Sequence, residues 1–479
     1  MLDFWTPRPV YSSGSASGPI ASKQNPKKRS YDHIGVNNND VNSDNRSSKK
    51  RLILKDSVKR PVTTATPALS IFPLSSATGG DVLAVGENGM GQMGMSSNIT
   101  ERQNAQPVPK IPEKIVQITA GPLHSVLLTD QNHVYSFGCN DEKALGHTQN
   151  DDEGSDDEVK FGQVDLSKVI NDKIEHIIQV IAGDSHTMVL TNLGRVYGWG
   201  TFRSSTNGPF GLIKKNQIES DPIKIHLPEK IIKIASGHDF VLFLSETGQV
   251  YSCGNGETGQ LGRLNRYTCE YGGRGGTERL IQPSLIQYNR NGIHEKNLIF
   301  EDIFTGAHGF FLKVYKENYI LAGGLNNFHQ LGFESTEPVY FPTIVPSLEG
   351  YHWRKFASGL HHTLALTNDG RVYSFGRHYE GQLGHENLTQ HLVVPKLIED
   401  IPEEVCDISC GNHVSFILAK SGKVYSFGDG TSLQHGHGHQ DIKIPKIISS
   451  KYMDIKQIQM IAVGSQHTLF LAAAADTAT

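Results

Sequence analysis

IAGDSHTMVLTNLGRVYGWGTFRSSTNGPFGL, residues 181–212, holds one repeat unit and the one place where that unit is broken. It opens with a turn, Gly183-Asp184-Ser185-His186, and runs into a near-alternating apolar segment, Thr187 to Thr191, with the period of a half-buried β-strand. A second turn at Asn192 to Gly194 leads to Val196, Tyr197 and Trp199, a short strand that stops at Gly200, so the unit reads as a hairpin. The next nine residues, Thr201, Phe202, Arg203, Ser204, Ser205, Thr206, Asn207, Gly208 and Pro209, form a polar segment with no counterpart in the other units. Asn207-Gly208-Pro209 stiffens a turn at its tip, and a protruding loop is expected there.

The glycines extend this reading to the rest of the chain. The first-turn glycine recurs at Gly121, Gly183, Gly237, Gly306, Gly359, Gly411 and Gly464, at spacings of 62, 54, 69, 53, 52 and 53 residues. The strand-ending glycine recurs at Gly86, Gly138, Gly200, Gly254, Gly324, Gly376 and Gly428. Within a unit the two are 17 residues apart in five of six cases and 18 in the other, Gly306 to Gly324, which marks a fixed structural unit. Strands and turns repeating near every 50 residues predict a β-propeller, and seven units predict seven blades. The chain opens on a second-glycine motif, VLAVGENGMGQMG, and closes on a first-glycine motif, IAVGSQHTLFLA, so one blade is expected to combine both ends of the fold.

Composition narrows the setting. Hydrophobic content of 37% suits many short strands joined by polar turns. Five cysteines form no CxxC pair and leave one over from full pairing, which points to a reducing compartment. No run approaches the roughly 20 apolar residues of a membrane span, and MLDFWTPRPV lacks the apolar stretch of a signal peptide. The net charge of -4 hides an asymmetry: residues 1–60 carry +7, with basic clusters at Lys27-Lys28-Arg29 and Lys49-Lys50-Arg51, and the remainder carries -11. Too poor in aliphatics to fold alone, residues 1–78 are expected to be a disordered basic tail that binds DNA phosphates and an import receptor. The propeller is expected over 79–473, with a disordered end over 474–479.

Segments such as GENGMGQMG and GNGETGQLG resemble phosphate loops, but they recur in almost every unit, whereas a nucleotide site should occur once. HGHGH, residues 435–439, has metal-like spacing but no acid or cysteine cluster beside it, and the acidic run at residues 151–158 reads as a loop tip. No cofactor, metal or catalytic triad is expected.

The unit AGxxHTxxLTxxGxVYxxGxNxxGQLG resembles the repeat of the regulator of chromosome condensation family, from Asp81 to Ala472. The resemblance implies a propeller. Three features point within the family to members that exchange nucleotide on the small GTPase Ran while bound to chromatin. The segment after Gly200 is similar to their GTPase wedge, Gln260 to Pro283 is similar to their long inserted loop, and a basic tail precedes the propeller. By the same resemblance, Asp184, Asp239, His361 and His467 match interaction and catalytic positions. Arg274 matches an arginine that binds the histone acidic patch of the nucleosome, a contact suited to the planar guanidinium. An acidic position of the family is Gly89 here, and an arginine position is Tyr271. His124 and His186 read as structural histidines. A nuclear, chromatin-associated exchange factor is the expected function, and a non-catalytic propeller adaptor is the alternative.

Overall fold

The computed structural model describes residues 69, 79–147, 161–171, 173–205, 208–271, 276–291, 297–399 and 401–473. They form seven four-stranded antiparallel blades arranged around an axis. The first blade is composite: Ile458–Val463 and His467–Ala473 supply its inner half, Gly80–Glu87 and Glu101–Pro107 its outer half. Gly80–Glu87 pairs with His467–Ala473 from Gly80↔Ala473 to Gly86↔His467, so both ends of the fold are joined by one ladder. The remaining blades follow in chain order, beginning at Ile115, Ile177, Ile231, Phe300, Trp353 and Val405. Contact with the propeller begins ahead of residue 79, since the Leu69 N–H donates to Glu246 O at 3.0 Å.

The core lies in slabs between blades. Val126, Leu128 and Val134 of the second blade meet Val180, Val189, Tyr197 and Trp199 of the third. This sandwiching corrects one expectation. The strand His186–Thr191 is buried at all six positions, because the second blade covers one of its faces and the fourth the other.

The two glycines of the repeat are needed for different reasons. A Cβ on Gly121 would lie 2.3 Å from the carbonyl oxygen of Gly183, the same turn in the next blade, so the ring closes around the axis only without side chains there. Gly200, in contrast, has φ +90°, a conformation L side chains rarely adopt. The longer interval from Gly306 to Gly324 comes from the hairpin turn between Val314 and Ile320, which holds one residue more than its counterpart between Thr129 and Val134. In four outer strands a buried proline, Pro222, Pro342, Pro395 or Pro445, sits where the register slips. A proline donates nothing to a ladder, so it belongs at a bulge on an edge strand.

Neighbouring blades are tied by a recurring histidine. His467 Nε2 lies 2.7 Å from Ser125 Oγ, His124 Nε2 lies 3.0 Å from Thr187 Oγ1, and His186 and His362 Nε2 lie 2.9 Å from Ser236 and Ser415 Oγ. Nearer the axis, Gln179 bonds both backbone groups of Ile234, and Lys233 and Lys355 reach Asp302 and Asp407 of the following blades at 2.5 Å. The first-turn glycines line an axial cavity of about 130 Å³.

Candidate functional site

The unrepeated segment after Gly200 is a small sheet of its own. Phe202–Ser204 pairs with Gly208–Gly211 before the chain returns to the outer strand Glu219–Ile225 of the third blade. Thr206 and Asn207 lie outside the described residues. Its polar composition predicts a loop, yet two aromatic side chains root it. Phe202 is fully buried, packed edge-on against His186 at 4.8 Å and beside Phe210 at 6.2 Å. Beneath it, Thr201 Oγ1 accepts the Gly211 N–H at 3.0 Å.

Polar contacts from the two flanking blades hold the hairpin. Glu142, from the second blade, binds the Arg203 guanidinium and accepts from Ser185 Oγ at 3.2 Å. On the other side, Asp239 Oδ1 accepts the Arg203 N–H at 2.9 Å, and Asn255 Nδ2 donates to the Arg203 carbonyl at 3.0 Å. Glu257 Oε2 accepts both the N–H and the hydroxyl of Ser205, at 3.2 and 2.6 Å. Tyr340, from the fifth blade, donates to the Glu257 carbonyl at 2.7 Å.

Four carboxylates, Glu142, Asp184, Asp239 and Glu257, thus gather at the first strand of the hairpin, with Glu142 on the Arg203 guanidinium. Burial pushes the Asp184 carboxyl up from its ordinary range, against the pull of Arg203. Burial raises Asp239 further, and the neighbouring Asp184 adds to it. Both acids therefore sit where ionisation is opposed, a pattern more common at functional sites than in inert structure. Among the described residues no three metal-ligating side chains converge here or elsewhere.

The other two expected positions lie apart from this cluster. His361 belongs to an aromatic group in the fifth to seventh blades: it packs on Phe328 at 4.7 Å and stacks over His413 at 6.3 Å, with the Arg377 guanidinium over the Phe328 ring. Burial, with Arg377, His413 and His308 nearby, pulls its imidazole down to about 3, so it is neutral at physiological pH. His361 and His467 are both buried, and His467 makes the same interblade bond as His124 and His186. Counting from the first-turn glycine explains this bond, since Asp184 is at the first position, Asp239 and His361 at the second, and His467 at the third, which turns into the blade.

In the inserted loop, Arg263 is 6% exposed, with no carboxylate among its hydrogen-bond partners. Its Nε donates to Ser252 Oγ and its Nη2 to the carbonyls of Arg279, Leu280 and Gln282, which fastens the short helix Glu278–Ile281 to the fourth blade. Arg274, the acidic run at 151–158 and the basic clusters Lys27-Lys28-Arg29 and Lys49-Lys50-Arg51 lie outside the described residues. A Cβ at Gly89 would meet nothing within 4 Å. Two of the three HGHGH histidines are spoken for: His435 Nε2 bonds Gln440 O, and His437 Nε2 bonds Ser426 Oγ and Lys446 O. Sequence reasoning does not single out Glu142, Asn255 or Glu257. Their only signal is an acid or amide within four residues of a strand-ending glycine in the units flanking the hairpin.

Residues 81–470 match the family model for the RCC1-like domain. The human "Regulator of chromosome condensation" is 37% identical over 395 residues, covering 82% of this chain and 90% of that protein. The Saccharomyces cerevisiae "Guanine nucleotide exchange factor SRM1" is 26% identical over 449 residues, covering 84% and 88%. Among solved structures, the complex of Kap60 with yeast RCC1 (Prp20) aligns over 89% of this chain and 97% of that one, at 25% identity and a TM-score of 0.74.

Proposed function

Because this chain belongs to the RCC1-like family of propellers, we propose that it is a guanine-nucleotide exchange factor for the small GTPase Ran, working through the face that bears the hairpin after Gly200. The observation that carries this reading is a strand-built wedge rooted beside two half-buried acids, on a propeller similar over most of its length to a yeast exchange factor.

Exchange requires no covalent step. The catalyst must prefer the nucleotide-free GTPase, and by linkage that preference weakens nucleotide binding by the same factor. A wedge that enters the phosphate-binding region supplies such a preference, provided it is stiff enough to displace the partner's loops. Phe202 under the hairpin and the acids on either side give it that stiffness. Asp184 and Asp239 contribute to the contact face, and the buried His361 and His467 act from within, His467 by holding the first blade to the second. The protein is therefore a non-covalent catalyst without a cofactor.

The remaining partners are read from the sequence. Lys27, Lys28, Arg29, Lys49, Lys50 and Arg51 bind an import receptor and DNA phosphates, and Arg274 meets the histone acidic patch of the nucleosome. A yeast relative has been solved in complex with Kap60, which is consistent with the first of these contacts. Exchange held on chromatin in the nucleus would supply GTP-bound Ran for nucleocytoplasmic transport and mitosis.

Release of a fluorescent GDP analogue from Ran, with excess unlabelled nucleotide, tests the reading. Fast release by wild type and a large loss in Asp184→Ala are expected. No acceleration by folded wild type overturns it in favour of an adaptor.

A further inference from the structure

The wedge hairpin belongs to the third blade by sequence, but much of its polar support comes from outside that blade. Its first strand is gripped at both ends. At Arg203 the side chain reaches Glu142 of the second blade, while the backbone N–H and carbonyl bond Asp239 and Asn255 of the fourth. Two residues on, where the hairpin leaves the body, Ser205 gives both its N–H and its hydroxyl to one oxygen of Glu257. That oxygen also lies 3.4 Å from Asn255 Nδ2, and the Glu257 backbone is fixed in turn by Asn255 Oδ1 on its N–H and by Tyr340 on its carbonyl.

Such an arrangement is stiffer than the fold needs. Phe202 already anchors the hairpin in the core, and the acids brought together beside Asp184 and Asp239 repel one another. Gathering like charges at one strand costs stability unless each charge is used. The use available to Glu142 and Glu257 is directional. One pulls the hairpin toward the second blade, the other toward the fourth, so the angle at which the strands Phe202–Ser204 and Gly208–Gly211 leave the body is set by a balance between two neighbours.

We infer that Glu142 and Glu257 are positioning residues of the wedge, fixing its projection angle from either side without themselves entering the GTPase. The inference rests on the exchange reading. A wedge set at the wrong angle still lets nucleotide-bound GTPase dock on the rest of the face, but it displaces the nucleotide poorly. The loss therefore falls on kcat and leaves KM nearly unchanged.

The test is a double-mutant cycle on Glu257→Gln and Ser205→Ala, with Glu142→Gln alongside, each variant checked for wild-type melting. Each single change is expected to lower kcat about tenfold, the scale of one lost hydrogen bond to a charged group. The double variant is expected to match Glu257→Gln rather than multiply the losses, because the hydroxyl contact that Ser205→Ala removes is one of the two made to that carboxylate. Backbone amide exchange across residues 203–211 should rise about tenfold in the same variants. Wild-type kcat in the singles, or multiplicative losses in the double, overturn the inference while leaving exchange intact. If wild type releases no GDP, the exchange reading falls by itself, and unchanged amide protection in Glu257→Gln then overturns the clamp on its own evidence.

Discussion

His467 Nε2 lies 2.7 Å from Ser125 Oγ, a contact between residues 342 positions apart that ties the first blade to the second. Ser125 Oγ also donates to the carbonyl of Gln92 at 2.8 Å, so one second-blade hydroxyl holds two points of the first blade. With the Ser125 proton on Gln92, the His467 Nε2–H donates this bond, and it is full burial that requires the ring to stay neutral, pulling it down to about 3.

That requirement sets the acid stability of the propeller. His124 is held at about 4, and His186 and His362 at about 3, each chiefly by burial. In the unfolded chain these groups take up protons below their ordinary 6.5, whereas in the fold they do so only near 3 to 4. Their contribution is therefore complete above pH 6.5 and is lost as pH falls toward 4. Each group adds a slope of about 1.4 kcal/mol per pH unit in that window. The melting temperature should drop steeply between about pH 6.5 and 4.5, and His467→Gln should show a slope shallower by one proton. An equal slope in the variant would contradict this.

Asp239 works in the opposite sense, because its carboxyl is raised by burial and by Asp184, so ionisation at neutral pH weakens the fold. Asp239→Asn keeps an acceptor for the Arg203 N–H and removes the charge. It should melt higher than wild type, by about 1 kcal/mol in stability, and release GDP from Ran more slowly. Calorimetry with the exchange assay reads both, and a lower melting temperature would count against the charge argument.

Gly121→Ala tests the axial ring. The added methyl would lie 2.3 Å from the Gly183 carbonyl oxygen and 2.7 Å from the His124 ring, neither of which has room to retreat. A loss of at least about 3 kcal/mol is expected in thermal unfolding. Gly89→Ala, where a Cβ meets nothing within 4 Å, should be within about 0.5 kcal/mol of wild type.

Arg263 should control the order of the inserted loop. Arg263→Leu removes the donor from three carbonyls around the helix Glu278–Ile281, at a cost of about 3 kcal/mol. Limited proteolysis should cut between residues 264 and 282 faster in the variant, with the blades intact. Unchanged cleavage would mean that Leu280 and Ile281, both buried, hold the loop without it.

The blade count is legible because glycine leaves a trace in the chain wherever geometry forbids a side chain. The turn beside the Gly183 oxygen and the positive φ at Gly200 both recur at fixed intervals. Asp184 and Asp239 are legible as a pair, since they flank first-turn glycines in consecutive units. The role of His467 needs the same count to be read correctly, because the third position after Gly464 points between blades as it does after Gly121 and Gly183. Glu142 and Glu257 leave no comparable trace. They meet the hairpin across 61 and 52 residues of sequence, and their importance comes from which blades are neighbours.

The shared first blade also orders events during synthesis. Gly80–Glu87 emerges from the ribosome early, but the strand it pairs with, His467–Ala473, is made nearly four hundred residues later. Until then the early strand offers an open edge, with Glu101–Pro107 and, at Gly80, Ile115 as its other neighbours. Six blades can form in order while the chain grows, yet the ring closes only after translation has passed residue 473. A nascent chain stalled before that point carries the hairpin, Asp184 and Asp239 on an open arc, so the finished exchange face appears as a single late step.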